Sequence, residues 1–301
     1  MAAREVCPEP GWLALAAALA RRFNDRVLRR VYLHELQADE IRSFLLHKRM
    51  EVWIHTAIEV WSRLWLSVVV GRRTARNIRR GLQESLERGR FAQRFLLTTD
   101  GLDLYAAIVS KVFGFLCIHA QVIKEFRTNR VCRVETRLVR GTQAQLNEAL
   151  SGSENSSTVK TSFAERLNLT IRQGCWFLSR RSAGHARHAE YLEDHMALLQ
   201  CHYNFIRPPR SLKLGDQRRT AAWQAGLVSR QLTFREIFLH PLAMLFLLLG
   251  VRVRRRACLR SNERQPNGKN ISLMKYRESR PMVGRVRYWR VGRRCPRSAQ
   301  Q

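Results

Sequence analysis

Val52-Trp53-Ile54-His55-Thr56-Ala57-Ile58-Glu59-Val60-Trp61-Ser62-Arg63-Leu64-Trp65-Leu66-Ser67-Val68-Val69-Val70 is the stretch on which the fold turns. β-branched and aromatic residues fill 52–60 and again 64–70, and only Trp61-Ser62-Arg63 lies between. Two such runs joined by a short polar link predict a β-hairpin. Just upstream, Leu33-His34-Glu35-Leu36-Gln37-Ala38-Asp39 partly alternates, with Leu33, Glu35 and Gln37 on one side. It predicts a preceding strand that Asp39 closes.

Downstream the texture changes. Thr74 is placed to cap a helix whose Ile78, Leu82 and Leu86 share one face, with Gly89 at its end. Residues 95–99 predict a strand ending at Asp100, with Gly101 to permit a sharp turn. A helix over 102–113, a strand over 115–123 and a further strand over 131–139 follow. Residues 141–150 predict a short helix, and 151–157, Ser-Gly-Ser-Glu-Asn-Ser-Ser, a flexible polar linker. Helices are expected over 162–179 and 190–205, the second with Leu192, Met196, Leu199 and Tyr203 on one stripe. Three antiparallel strands followed by alternating helices and strands predict an α/β fold. The element order is that of a ribonuclease-H-like mixed sheet flanked by helices.

Charge narrows the partners. The 301 residues hold 54 Lys and Arg against 24 Asp and Glu, a formal net charge of +30. The tail from Arg252 holds 16 basic and 2 acidic residues, so it carries +14 and the first 251 residues +16. A charge that large is self-repulsive unless a polyanion meets it, and nucleic acid is the expected one. The seven cysteines are scattered and form no CxxC pair, which argues against both a zinc ribbon and a disulfide framework. The apolar run 237–251 is interrupted by His240 and Pro241 and falls short of the roughly 20 residues a bilayer span needs. No membrane partner is expected. His188, His195 and His202 recur every seven residues. That puts helical neighbours about 10.5 Å apart, too far to share a zinc ion.

In such a sheet the first and fourth strands are neighbours, so Asp39 and Asp100 are expected side by side. The helix beginning near Ser162 would lay Glu165 across the same edge. Converging carboxylates in a basic chain call for a hard divalent cation, Mg²⁺ or Mn²⁺. A pair of such ions suits in-line displacement at phosphorus. Glu35, Glu40 and Asp103 lie close enough in sequence to be alternatives.

The residues around these acids resemble those of a known family. Leu36-Gln37-Ala38-Asp39-Glu40, Thr99-Asp100-Gly101 with Tyr105, and Thr161-Ser162-Phe163-Ala164-Glu165-Arg166-Leu167-Asn168-Leu169-Thr170-Ile171-Arg172-Gln173 are similar to the three acidic blocks of DDE transposases from bacterial insertion sequences. Tyr203-Asn204-Phe205-Ile206-Arg207-Pro208 is similar to a stretch downstream of them. The likeness is to the insertion-sequence-one-like group and runs from Phe23 to Phe238. It implies Asp39, Asp100 and Glu165 as catalytic metal ligands, and Arg172, Asn168, Arg166 and Arg207 as DNA contacts. It implies metal-dependent cleavage and strand transfer between element ends and target DNA, by a homo-oligomer in a bacterial cytoplasm at the nucleoid. The sequence departs from the family at Arg42, where an aromatic is common, and at Pro209, where a histidine follows the proline.

Three regions are therefore expected: 1–30 as the helical remnant of a truncated N-terminal DNA-binding region, 31–238 as the catalytic domain, and 239–301 as an apolar segment and a poorly ordered basic tail. The alternative is a catalytically inactive remnant that binds DNA without cutting it.

Overall fold

The hairpin forms where the sequence places it. In the computed structural model, which describes residues 10–128, 130–179 and 184–238, β3 (Glu51–Glu59) and β4 (Leu64–Gly71) pair antiparallel. Arg63 takes a positive φ of 61° in the turn between them. Glu59 caps that turn, accepting hydrogen bonds from Trp61 N (3.1 Å) and Ser62 N (2.7 Å). β2 (Glu35–Phe44) pairs antiparallel with β3. β6 (Phe95–Asp100) then pairs parallel with β2, and β7 (Cys117–Arg127) parallel with β6. β8 (Arg130–Arg140) closes the sheet as an antiparallel edge, giving the order β4-β3-β2-β6-β7-β8. This open mixed sheet flanked by helices is the ribonuclease-H-like arrangement. A small parallel pair, β1 (Val31–Tyr32) with β5 (Gly89–Arg90), lies outside it.

Helices cover both faces. α2 (Ala75–Arg88) starts at Thr74, whose side chain accepts from Asn77 N, and ends at Gly89. Its Ile78 and Leu82 join Tyr105, Ile108, Val109 and Phe113 of α3 (Asp103–Phe113) over Leu36, Phe95 and Leu97. α4 (Gln143–Ser151), opened by a Thr142–Gln145 capping box, sets Leu146 against Leu96, Ile118 and Ala120. On that second face α5 (Ser162–Gly174) buries Ala164, Leu167 and Ile171 against Ile41, Ile54 and Trp65. Burying a Leu or Ile there contributes about 1.5–3 kcal/mol each, enough to fix the helix across the sheet. α6 (Ala189–Cys201) supplies Leu192 and Met196 to this core and Cys201 to the first.

Several expectations are corrected. The first long strand does not close at Asp39: it runs on to Phe44, because β3 keeps pairing with it as far as Glu51. Within the 1–30 stretch the described residues form one helix, α1 (Pro10–Val27). Ala20, Phe23 and Leu28, all in the 1–30 stretch, pack in the same core as the sheet, and Phe23 meets Phe205 edge-to-face at 4.7 Å. The 162–179 helix stops at Gly174, where a Cβ would lie 2.7 Å from Leu199 Cδ1, and a 3₁₀ turn, Trp176–Leu178, follows. The 190–205 helix passes into a π turn over His202–Ile206. The 151–157 segment is tied down: Ser153 and Ser156 donate to the buried Glu35 at 3.2 and 2.9 Å. The seven-residue histidines each face a ring instead of one another: Tyr191, Phe177 and Phe234. The region 239–301 lies outside the described residues, as does the apolar run past 238. Among the described residues no helix is long and apolar enough to cross a membrane.

Candidate functional site

Register builds the site. β2 and β6 pair through Glu35↔Leu96, Leu36↔Leu97 and Gln37↔Thr98, and there the ladder ends. Two residues further at the same offset stand Asp39 and Asp100, level with each other where the strands part. Strand alternation sends Asp39 toward α5 and its neighbour Glu40 toward α3. At the parting edge the carboxylates still converge: one ligand oxygen from each of Asp39, Glu40 and Asp100 lies within 4.8 Å of the others.

Each acid has its own surroundings. Asp39 Oδ1 accepts from Glu40 N at 2.8 Å, and Oδ2 accepts from Asn168 Nδ2 at 2.8 Å. Asn168 is buried, and Thr56 Oγ1 lies 3.1 Å from its Oδ1 and 3.2 Å from Asp39 O, where it donates. Burial pushes the Asp39 carboxyl up to about 7, and repulsion from Asp100, Glu40 and Glu165 adds to this against the Glu40 amide. Asp100 accepts from Leu102 N (3.2 Å) and from Arg73 Nη2 (3.4 Å). Its pKa is also raised, by burial first and Glu40 second. Glu40 goes the other way. Burial pushes it up, but His55, Tyr105 and Arg73 together hold it below the usual carboxylate value. Tyr105 OH donates at 2.5 Å and Arg73 Nη2 at 3.1 Å, while His55 Nδ1 lies 3.8 Å away. Arg73 thus bridges Glu40 and Asp100, its guanidinium resting 4.6 Å over the Trp53 ring.

Glu165 lies beside this cluster, outside its tight core. It pairs with Lys124 of β7 and accepts from Thr161 Oγ1 at 2.8 Å. Burial raises its carboxyl, and those two donors bring it below the usual value. Glu165 still adds to the charge felt by Asp39, as Lys124 adds to that felt by Asp100.

The residues expected to meet DNA are dispersed. Asn168 has both amide atoms engaged inside the protein, on Asp39 and Thr56, so it serves the site from within. Arg166 is exposed on α5. Arg172 reaches Arg42 O at 3.5 Å. Arg207 is exposed after the π turn that packs on β4, two strands from β2. Sequence reasoning missed Arg73 and Lys124: no spacing rule links them to acids on other strands. Glu40 stood among the alternatives, and only the divergence of β2 from β6 brings it into the cluster. Asp103 is exposed at the start of α3, and Glu35 is spent on the 151–157 segment.

Among known proteins, no family model matches the chain and no curated protein matches it. Among solved structures it is similar to a chain of the simian T-cell lymphotropic virus intasome, seen by cryoEM in complex with PP2A regulatory subunit B56 gamma. The identity is 12%, the TM-score 0.36, and the match covers 65% of this chain and 56% of that one. The chain thus spans little more than half the length of that neighbour, and an overlap of that quality transfers no function.

Proposed function

We propose that the chain is a transposase that cleaves DNA strands and transfers them with the help of Mg²⁺ or Mn²⁺. One observation carries the reading: Asp39 and Asp100, far apart in sequence, stand level at a parting strand edge with α5 laid across it. The likeness of the three acidic blocks to DDE transposases supports it.

The donor set suits a hard cation, since it offers carboxylate oxygens without sulfur or ring nitrogen in the tight cluster. Asp39 supplies the sharper fit. It is half-buried and repelled by three neighbouring acids, and among the described residues no ion pair to it is found. Asp39, Asp100 and Glu40 would hold the ion, with Glu165 joining once Lys124 leaves it. A divalent ion held there supplies Lewis acidity at a phosphodiester and acidifies water at neutral pH. The protein's own groups orient and balance. Asn168 and Thr56 fix the Asp39 carboxylate, Tyr105 and Arg73 fix Glu40, and Lys124 is then available to a phosphate. In the same reading Arg166, Arg172 and Arg207 meet the DNA backbone, and the protein works as a homo-oligomer on DNA in a bacterial cytoplasm.

The test is strand cleavage of duplex DNA carrying an element end, with Mg²⁺ or Mn²⁺, by the wild type and by Asp39→Asn, Glu40→Gln and Glu165→Gln. Loss of cleavage in Asp39→Asn and Glu165→Gln is expected. Equal cleavage by all would remove the site from the chemistry. A second reading has its own observation: Arg73 already bridges Glu40 and Asp100, where a cation would sit. It makes the chain a DNA-binding protein without cleavage, with salt-sensitive, sequence-independent affinity.

A further inference from the structure

β7 runs on past the sheet. The last residue of β7 with a partner on β6 is Val122, opposite Asp100, and over 123–127 the only strand paired with it is β8. Those five residues carry a two-stranded ribbon about 17 Å beyond the level of Asp100, at roughly 3.3 Å per residue. The ribbon starts at the site itself, because Lys124 at its root pairs with Glu165.

A two-stranded ribbon standing alone is marginal in water. This one is bare: β8 is exposed over most of its length, with Val131 at 48% and Val134 at 58% exposure. Charge decides what covers it. Arg127 and Arg130 face each other at the far end, and Arg133 follows opposite Glu125. Arg133 pairs with Glu135, and Arg137 lies 3.6 Å from Asp103. Among the described residues no acid pairs with Arg127 or Arg130. A second copy adding a strand to the β8 edge would set Arg130, Arg133, Arg137 and Arg140 against their own kind, and charged edges oppose such pairing. A polyanion is the complement.

We propose that this ribbon is a guide that grips the phosphate backbone of the nucleic acid passing the carboxylate cluster. It rests on the nucleic-acid reading above but not on catalysis. The test is binding of a labelled duplex of about 30 base pairs by the full chain in chelator, from about 50 to about 200 mM salt. The triple variant Arg127→Gln, Arg130→Gln, Arg133→Gln is compared with Arg76→Gln, Arg79→Gln, Arg80→Gln on the exposed side of α2, thermal melting confirming that both fold. Each lost phosphate contact lowers the slope of log affinity against log salt by about 0.9, so the ribbon triple should lose about 2 to 3 and the α2 triple less. Equal losses, or an unchanged slope in the ribbon triple, overturn the proposal. So does a change in sedimentation with DNA affinity intact, which would make the partner a second copy. A ribbon-dependent slope in a chain that cuts nothing keeps the guide and ends the catalytic reading. Wild-type affinity and cleavage in the ribbon triple do the reverse.

Discussion

Replacing Asp39 by Asn should stabilise the metal-free protein, and by an amount that grows with pH. In the fold the Asp39 carboxyl is pushed from its ordinary 3.8 to about 7. A folded pKa above the unfolded one means stability that is whole below about 3.8 and is lost as pH rises toward about 7. About three units at 1.36 kcal/mol each set an upper figure of about 4 kcal/mol. Asn removes that titration at little steric cost. Asn168 can turn its amide over, so that its oxygen accepts from the new Nδ2 and its nitrogen donates to Thr56. The assay is urea unfolding in chelator from about pH 4 to about pH 8, taken as the difference between Asp39→Asn and wild type. That difference should be near zero at the acid end and reach a few kcal/mol at the other. Mg²⁺ or Mn²⁺ should then raise the wild type at pH 8 and leave Asp39→Asn unmoved. A difference that stays flat with pH, or a cation effect of equal size in both proteins, would refute the account of Asp39 as the uncompensated charge.

Tyr105→Phe removes the 2.5 Å donor to Glu40 and should cost about 1.5–3 kcal/mol near pH 7. Because Glu40 is held below its ordinary value, that stability is present above it and is lost as pH falls, so the gap to wild type should close in acid unfolding curves. Asn168→Ala leaves Asp39 Oδ2 and the Thr56 hydroxyl short of a partner and should cost about 1–3 kcal/mol, read by the urea midpoint. Ser156→Ala takes a buried 2.9 Å hydrogen bond from Glu35 and should cost about 1–2 kcal/mol. It should also speed proteolytic nicking between 151 and 157, and unchanged nicking would show that Glu35 does not hold that segment.

The parts of the fold legible in the sequence were those set by local pattern. The 52–70 hairpin, the Thr74 cap and the Gly89 stop each rest on residues within a few positions of one another. What escaped depends on partners elsewhere in the chain. Nothing near Asp39 says that β2 continues to Phe44, because the cause is β3 pairing out to Glu51. Gly101 was legible as special but for another reason. Its φ is not positive; a Cβ there would come 3.1 Å from Ile123 Cγ1, so the residue serves close approach to β7. The polar 151–157 stretch reads as a linker until Glu35, more than a hundred positions upstream, is found beneath it. At the site, two of the three acids in the tight cluster follow from strand order, whereas Glu40, Arg73 and Lys124 are brought in by contacts between distant elements.

Only three residue pairs, from Glu35↔Leu96 to Gln37↔Thr98, hold β2 and β6 in step. A slip of one position there would turn Asp100 to the opposite face of the sheet while leaving Asp39 where it is. A single residue gained or lost inside the 95–100 segment would therefore dissolve the carboxylate cluster, and would also turn the buried Phe95, Leu96 and Leu97 to the wrong sides of the sheet.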